Sequence, residues 1–386
     1  MAMSIGKQSL KVILRSCEKI NGFQPLFAPK LINNATKRRE LCLAFACNKW
    51  QKHIQQHLPT EYTPEELITW SRTEAQELCT KRLQNALVES GGHQKTLECC
   101  TYVCDGSGKL IRPQLVLLTA GACFENSLPS SDQKTIAMIA EVIHTASLVH
   151  DDIVDNAELR RKKPSSHLVF GDTLTTFVAD YMISVSSQLL ARLRNPRVIK
   201  LLSQAMNDIV RGELSQQKQG ANLKEQFSLY MDKTFAKTAS LTTNACAAVA
   251  VLAKCNDQLV ENARNIGKHV GLAYQLVDDL LDLVSTEEKL GKPAVADMKL
   301  GLATAPALLA ARDSAKLQVI IQRRYSQDGD IENALELIEK YDGIQKTRDL
   351  AKEHTLKAIE NARQLPNIVF AEALHLFIER LLGRYF

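Results

Sequence analysis

From Thr63 to the C-terminus apolar side chains recur every three or four residues, and this spacing limits the architecture more than any other feature. It is the period of an amphipathic helix. Only short polar or Gly/Pro stretches break it: Asp105-Gly106-Ser107-Gly108, 126–131, Arg194-Asn195-Pro196, Gly291-Lys292-Pro293 and Asp328-Gly329-Asp330. No alternating strand pattern, internal repeat or low-complexity tract competes. Glycine (17) and proline (11) are scarce among 386 residues and aromatics make up 5%, which disfavours turn-rich all-β folds. Thr63-Pro64-Glu65-Glu66 supplies a capping hydroxyl, a proline at the first helical position and a carboxylate at the third, a helix-start signature. The expectation is a single all-α domain of ten or more helices over residues 61–386. No window offers the roughly 18 consecutive apolar residues of a membrane span. The best candidate, Thr238 to Ala253, is interrupted by Ser240, Thr242, Thr243 and Asn244, so a soluble or peripherally membrane-bound protein is expected.

The net charge of +5 divides unevenly. Residues 1–60 carry ten Lys and Arg against Glu18 and Glu40, leaving 38 basic and 41 acidic side chains for the rest. A basic leader with Leu10, Val12, Ile13 and Leu14 among its cations and no long apolar stretch predicts a mitochondrial transit peptide, with the matrix as destination. The alternative is a disordered basic tail that touches anionic surfaces. Because the remaining body is slightly acidic, nucleic acid is not an expected partner. The ten cysteines are scattered, and without a secretory signal they read as reduced, buried side chains. Cys99, Cys100 and Cys104, with His93 nearby, lack a second ligand pair at zinc-finger spacing and fit an ordinary helix interior better than a metal site.

Chemistry concentrates in Ala140 to Arg161. On a helix, Asp151 and Asp155 share a face and His144, seven residues before Asp151, joins them. Carboxylates at that spacing repel, and Asp152 adds a third, so the arrangement asks for a cation; hard oxygen ligands with room for water and phosphate oxygens suit magnesium. Arg160 and Arg161 follow, with planar forks that match phosphate. The pattern returns in Gly271 to Leu283, where Asp278, Asp279 and Asp282 sit amid Leu276, Val277, Leu280 and Leu281, with Gly271 and Gln275 on the same stripe. One acidic patch would fit a solvated helix end. Two, in apolar settings where uncompensated charge is costly, read as opposite walls of one cavity that holds a diphosphate through several metal ions.

These motifs resemble the trans-polyprenyl diphosphate synthase family. Six ordered pieces carry the likeness over about residue 61 to the end: Gly108-Lys109-Leu110-Ile111-Arg112-Pro113, Asp151-Asp152-Ile153-Val154-Asp155, Arg160-Arg161, Lys237-Thr238, Gln275 with Asp278-Asp279-Leu280-Leu281-Asp282, and Gly291-Lys292. The stretches IAEVIHTASLVHDDIVD and GKPAVADMKLGLATAPAL are most similar to long-chain mitochondrial members that make the ubiquinone side chain. The resemblance implies an isoprenoid synthase-type helical bundle around a central cavity. It also implies head-to-tail condensation of isopentenyl diphosphate onto an allylic diphosphate, farnesyl or geranylgeranyl, with three Mg2+ ions per site. By resemblance, Lys109, Arg112, His144 and Arg161 grip the isopentenyl diphosphate and Arg160 the allylic one. Asp151, Asp155 and Asp278 ligate magnesium, while Asp152, Asp279 and Asp282 complete the acidic walls. Lys237, Thr238 and Gln275 line the allylic site, and Lys292 closes over the leaving group. A homodimer, or a heteromer with a second synthase subunit, is implied as well.

Ser147 and Ala146, four and five residues before Asp151, leave room for a growing chain; their small size predicts a product of eight to ten isoprene units unless Phe177 or Tyr181 forms a floor. Ser107, Lys162 and Ala179 stand where relatives usually have glycine. Two alternatives are a cyclising terpene synthase derived from this fold, expected to lose the isopentenyl grip, and a non-catalytic subunit, expected to lose motif aspartates.

Overall fold

Thr63 caps the first described helix as its sequence predicts: its hydroxyl accepts the amide of Glu66 (3.3 Å) while the Glu66 carboxylate accepts the Thr63 amide (2.7 Å). The structure, a computed structural model, describes residues 62–124, 128–214, 222–284 and 295–383. The leader of residues 1–60 and Lys292 lie outside the described residues. In chain order the helices are α1 (Pro64–Glu77), α2 (Leu83–Glu89), α3 (Gln94–Val103), α4 (Ile111–Ala122) and α5 (Ser131–Val154). A two-stranded hairpin, β1 (Leu159–Arg160) and β2 (Lys163–Pro164), then leads to α6 (Ser166–Phe170), α7 (Asp172–Arg192), α8 (Pro196–Leu214) and α9 (Leu223–Thr234). A wide π turn (Phe235–Ala239) joins α9 to α10 (Ser240–Leu252). After these come α11 (Asp257–Val284), α12 (Ala296–Lys299), α13 (Ala305–Ala310), α14 (Ala315–Gln322), α15 (Asp330–Lys340), α16 (Gly343–Ala362) and α17 (Ile368–Leu382).

The bundle is built around α10, every residue of which from Ser240 to Ala250 is buried. A helix covered on all sides needs no amphipathic stripe, but its polar groups need partners. Ser240 donates to Asp208 (2.6 Å), Thr242 to the Gly267 carbonyl (2.9 Å), Thr243 to the Ala239 carbonyl (2.7 Å) and Asn244 to the Ser240 carbonyl (2.9 Å). The polar interruptions seen in the sequence are thus internal fastenings. Leu223–Leu252, taken through its π turn, is the one helix among the described residues long and apolar enough to cross a membrane, yet 67% of its apolar window is buried in protein.

α11 packs against α10 backbone to backbone. A Cβ on Gly267 would lie 2.2 Å from the Thr242 carbonyl oxygen, and one on Gly271 would lie 2.6 Å from Cα of Ala239. Gly271 therefore serves packing, and Gln275, one turn on, is the first residue of that stripe free to carry a functional side chain.

The hairpin is the one sheet among the described residues. Arg160 pairs with Lys163, so Arg161 and Lys162 form its turn, at φ of +54° and +66°. Two consecutive positive φ values define the turn that matches strand twist and that favours Asn-Gly. Lys162, standing where relatives usually have glycine, therefore occupies a conformation strained for a side-chain-bearing residue. Ala179 is buried in the interior of α7, where alanine is a good helix former, and the Ser107 amide donates to Asp105 (2.9 Å) in an exposed turn. Cys99 and Cys100 are buried in α3, and every described cysteine is a free thiol.

Candidate active site

α5 starts at a capping box on Ser130 and ends with Asp155 as its C-cap. It thus delivers three carboxylates to a helix end whose own partial charge is negative, which compounds their repulsion. The structure resolves the conflict unequally. Asp152 is buried at 3% exposure, and Arg160 donates to it through Nε, 3.0 Å from each carboxylate oxygen, and through Nη2. The sequence reading sets Asp152 on the acidic wall and Arg160 on a diphosphate. The fold joins them to each other, because a buried carboxylate needs a standing cation. Asp151 is partly buried and Asp155 exposed. Burial pushes the Asp151 carboxyl up, Lys237 pulls it down, and Glu213 and Asp155 push it up again.

Lys237 reaches this end from the π turn. Its Nζ lies 3.7 Å from Asp151 and 2.5 Å from Glu213 at the end of α8. The next residue, Thr238, donates to the Gln275 side-chain carbonyl (2.9 Å), and the Gln275 amide donates to Asp279 (2.9 Å). Consecutive residues of one turn therefore touch the two acidic helices. The second trio is as unequal as the first. Asp279 is buried at 2% exposure and also accepts the Tyr230 hydroxyl (2.5 Å) and the Ala305 amide (3.3 Å). Burial lifts its pKa to about 6, against the pull of those hydrogen bonds. Asp282 accepts the amides of Ala296 and Asp297 (3.3 Å each) and so anchors α12. Asp278 is exposed.

A basic cluster lies near these groups. Burial pushes the Arg112 guanidinium below its usual range, with Glu141, Tyr274 and Asp278 opposing and Arg161 adding to the shift; its Nε is buried without a hydrogen-bond partner. His144 is held well below the usual imidazole range by burial, then by Arg112, Arg161 and Arg160, so it is neutral at pH 7. Glu141, buried at 7% exposure, lies 4.0 Å from Arg161. Gly108 explains itself here: a Cβ would fall 2.6 Å from Nη2 of Arg161, so only glycine lets that guanidinium lie against the loop. Lys109 is exposed on the same loop. Arg112, Thr238, Gly271 and Tyr274 line one open space of about 320 Å³, which lies between α4, the π turn and α11.

Ala146 is fully buried and the Ser147 hydroxyl donates to the His144 carbonyl (2.8 Å). Phe177 is 64% exposed, and Tyr181 is tied to the Leu87 carbonyl (2.6 Å). Sequence reasoning missed Glu141, Glu213, Tyr230 and Tyr274. Glu141 had a signal, being the lone carboxylate of an apolar run one turn before His144; the other three are brought in only by tertiary packing. No three His, Cys, Asp or Glu among the described residues could hold a metal unaided.

Known proteins resemble this chain in sequence and in fold. The polyprenyl synthetase family model matches residues 93–338. The chain is 41% identical over 288 residues to the mouse (Mus musculus) all trans-polyprenyl-diphosphate synthase PDSS1, covering 73% of this chain and 70% of that protein. It is 40% identical over 259 residues to a probable mitochondrial hexaprenyl pyrophosphate synthase of Yarrowia lipolytica (65% of this chain, 57% of that one). With decaprenyl-diphosphate synthase subunit 1 of Schizosaccharomyces pombe it shares 36% over 316 residues (74% and 84%). Among solved structures, a Caulobacter crescentus polyprenyl synthase complexed with calcium and isoprenyl diphosphate superposes with a TM-score of 0.72 at 28% identity, over 84% of this chain and 98% of that one. A prenyltransferase of the all-α isoprenoid synthase fold, the chain belongs to the polyprenyl synthetase family.

Proposed function

We propose that this chain is an all-trans-polyprenyl diphosphate synthase that adds isopentenyl diphosphate head to tail onto farnesyl or geranylgeranyl diphosphate. Its long product, of eight to ten units, would become the ubiquinone side chain. The observation that carries the reading is the π turn at Lys237-Thr238, whose neighbouring residues contact Asp151 on one side and Gln275 on the other, together with the buried cluster of Arg112, His144 and Arg161. One diphosphate can then sit between the acidic helices and a second among the guanidiniums.

The donor chemistry fits magnesium, which is commonly held by one or two carboxylates together with substrate phosphates and water rather than by an all-protein cage. Asp151, Asp155 and Asp278 would hold three ions, and bound magnesium would neutralise the departing diphosphate. Lys237 adds a further charge to that diphosphate, and Thr238 and Gln275 turn oxygens toward the allylic cation. Arg112 and Arg161 hold isopentenyl diphosphate so that its double bond faces the cation. His144, kept neutral, donates a hydrogen bond without adding to the repulsion between its guanidinium neighbours. No protein nucleophile is needed: the released diphosphate takes the proton lost on condensation. The basic cluster favours condensation over cyclisation, which requires no isopentenyl grip.

The leader of residues 1–60 is read as a transit peptide to the mitochondrial matrix, which its charge and the mitochondrial relative support. The subunit 1 name of the fission yeast relative supports a heteromer with a second synthase subunit, a homodimer being the alternative. The test is to incubate the full chain with Mg2+, labelled isopentenyl diphosphate and farnesyl diphosphate. Long all-trans polyprenyl diphosphates are expected. Cyclic hydrocarbon would overturn the proposal, and silence until a second subunit is added would limit this chain to part of a heteromer.

A further inference from the structure

Glu213 is absent from the motifs that define the site, yet it makes the shortest contact to Lys237, 2.5 Å against 3.7 Å for Asp151. The backbone is arranged to bring it there. A Cβ at Gly212 would fall 2.8 Å from the Lys237 amide nitrogen and 3.1 Å from its Cα, so only glycine lets α8 lie directly on the turn. That turn is itself widened, Phe235–Ala239 being π-helical, an insertion that shifts the register of Lys237 relative to α9. One ammonium thus stands between two carboxylates on different helices, Glu213 with a side-chain exposure of 39% and Asp151 with 23%.

An ammonium seated on Asp151 would occupy the oxygens that a divalent cation needs. We propose that Glu213 is a positioning residue that draws Lys237 away from Asp151, leaving that carboxylate open to metal and the ammonium poised for the incoming diphosphate. The inference rests on the reading of Asp151 as a metal-binding carboxylate given above. In wild type, Glu213 and Asp151 compete for one lysine. Without Glu213 the lysine closes on Asp151 and metal must displace it.

The test is a double-mutant cycle read by calorimetric titration of the full chain with MgCl2 in the presence of inorganic pyrophosphate. Melting temperatures serve as the check on folding. Glu213→Gln is expected to weaken Mg2+ binding about fivefold, the scale of a partly exposed ion pair. In a Lys237→Met background the same substitution is expected to change Mg2+ binding less than about twofold, because Glu213 acts through the lysine. Equal loss in both backgrounds would mean that Glu213 acts by its own charge and would overturn the proposal, as would unchanged binding in Glu213→Gln. A wild-type chain that binds no Mg2+ with pyrophosphate would instead remove the metal reading of Asp151, and the inference with it.

Discussion

The Tyr230 hydroxyl donates to Oδ2 of Asp279 across 2.5 Å, and this single bond separates two adjacent aspartates into different trades. Asp279 is an acceptor buried among Tyr230, Gln275 and Ala305, while Asp278 is left exposed. Tyr230→Phe removes a donor from a buried carboxylate and is expected to cost about 1–3 kcal/mol of stability, seen as a lower denaturant midpoint. Asp278→Asn should leave that midpoint alone and lower turnover about a hundredfold or more. The reverse pattern would show the roles to be exchanged.

Gly108 and Arg161 give a prediction about one substrate only. Gly108→Ala inserts a methyl group where Nη2 of Arg161 rests, and the guanidinium is the part free to move. The KM for isopentenyl diphosphate is expected to rise about tenfold, the worth of one charge-assisted hydrogen bond. The KM for the allylic substrate and the melting temperature should stay near wild type. An equal rise for both substrates would place Arg161 elsewhere.

At the hairpin, Lys162 holds φ at +66° beside Arg161 at +54°. Relieving one of these with Lys162→Gly removes a left-handed penalty of about 1–2 kcal/mol and returns part of it as unfolded-state entropy. A net gain of about 0.5–1 kcal/mol in urea unfolding is the expected outcome. A loss of stability would show that the lysine side chain contributes more than its backbone costs.

His269 on α11 and His354 on α16 face each other Nδ1 to Nδ1 at 2.8 Å. Burial, then His354, Lys268 and Lys357, holds His269 down at about 4, with Glu353 opposing, and burial lowers His354 as well. The folded rings bind protons more weakly than the unfolded ones, whose pKa is about 6.5. Their stabilisation is therefore full above that value and is lost as pH falls toward about 4. Melting temperatures should drop across that window, and His269→Gln/His354→Gln should flatten the drop. Parallel curves for the two proteins would reject the pair as its source.

Much of this was legible in the chain. Helices α5 and α11 announce themselves by their apolar stripes, and the i, i+4 spacing of Asp151 with Asp155 and of Asp278 with Asp282 marks the acidic faces. The sorting of carboxylates was not legible, because Asp152 and Asp279 differ from their neighbours only in partners eight and 49 residues away, Arg160 and Tyr230. The hairpin escaped notice since two-residue strands have no period to read. The π turn left the apolar pattern nearly intact, so the reach of Lys237 toward Glu213 could not be foreseen.

The glycine seam between α10 and α11 bears on how such an enzyme can diversify. With room for no Cβ between Gly271 and the Ala239 backbone, a single added methyl group would prise the helices apart and take Gln275 away from Thr238. Selection for a shorter or longer lipid is thereby barred from sliding this wall, and is left to exchange one side chain for another across the gap.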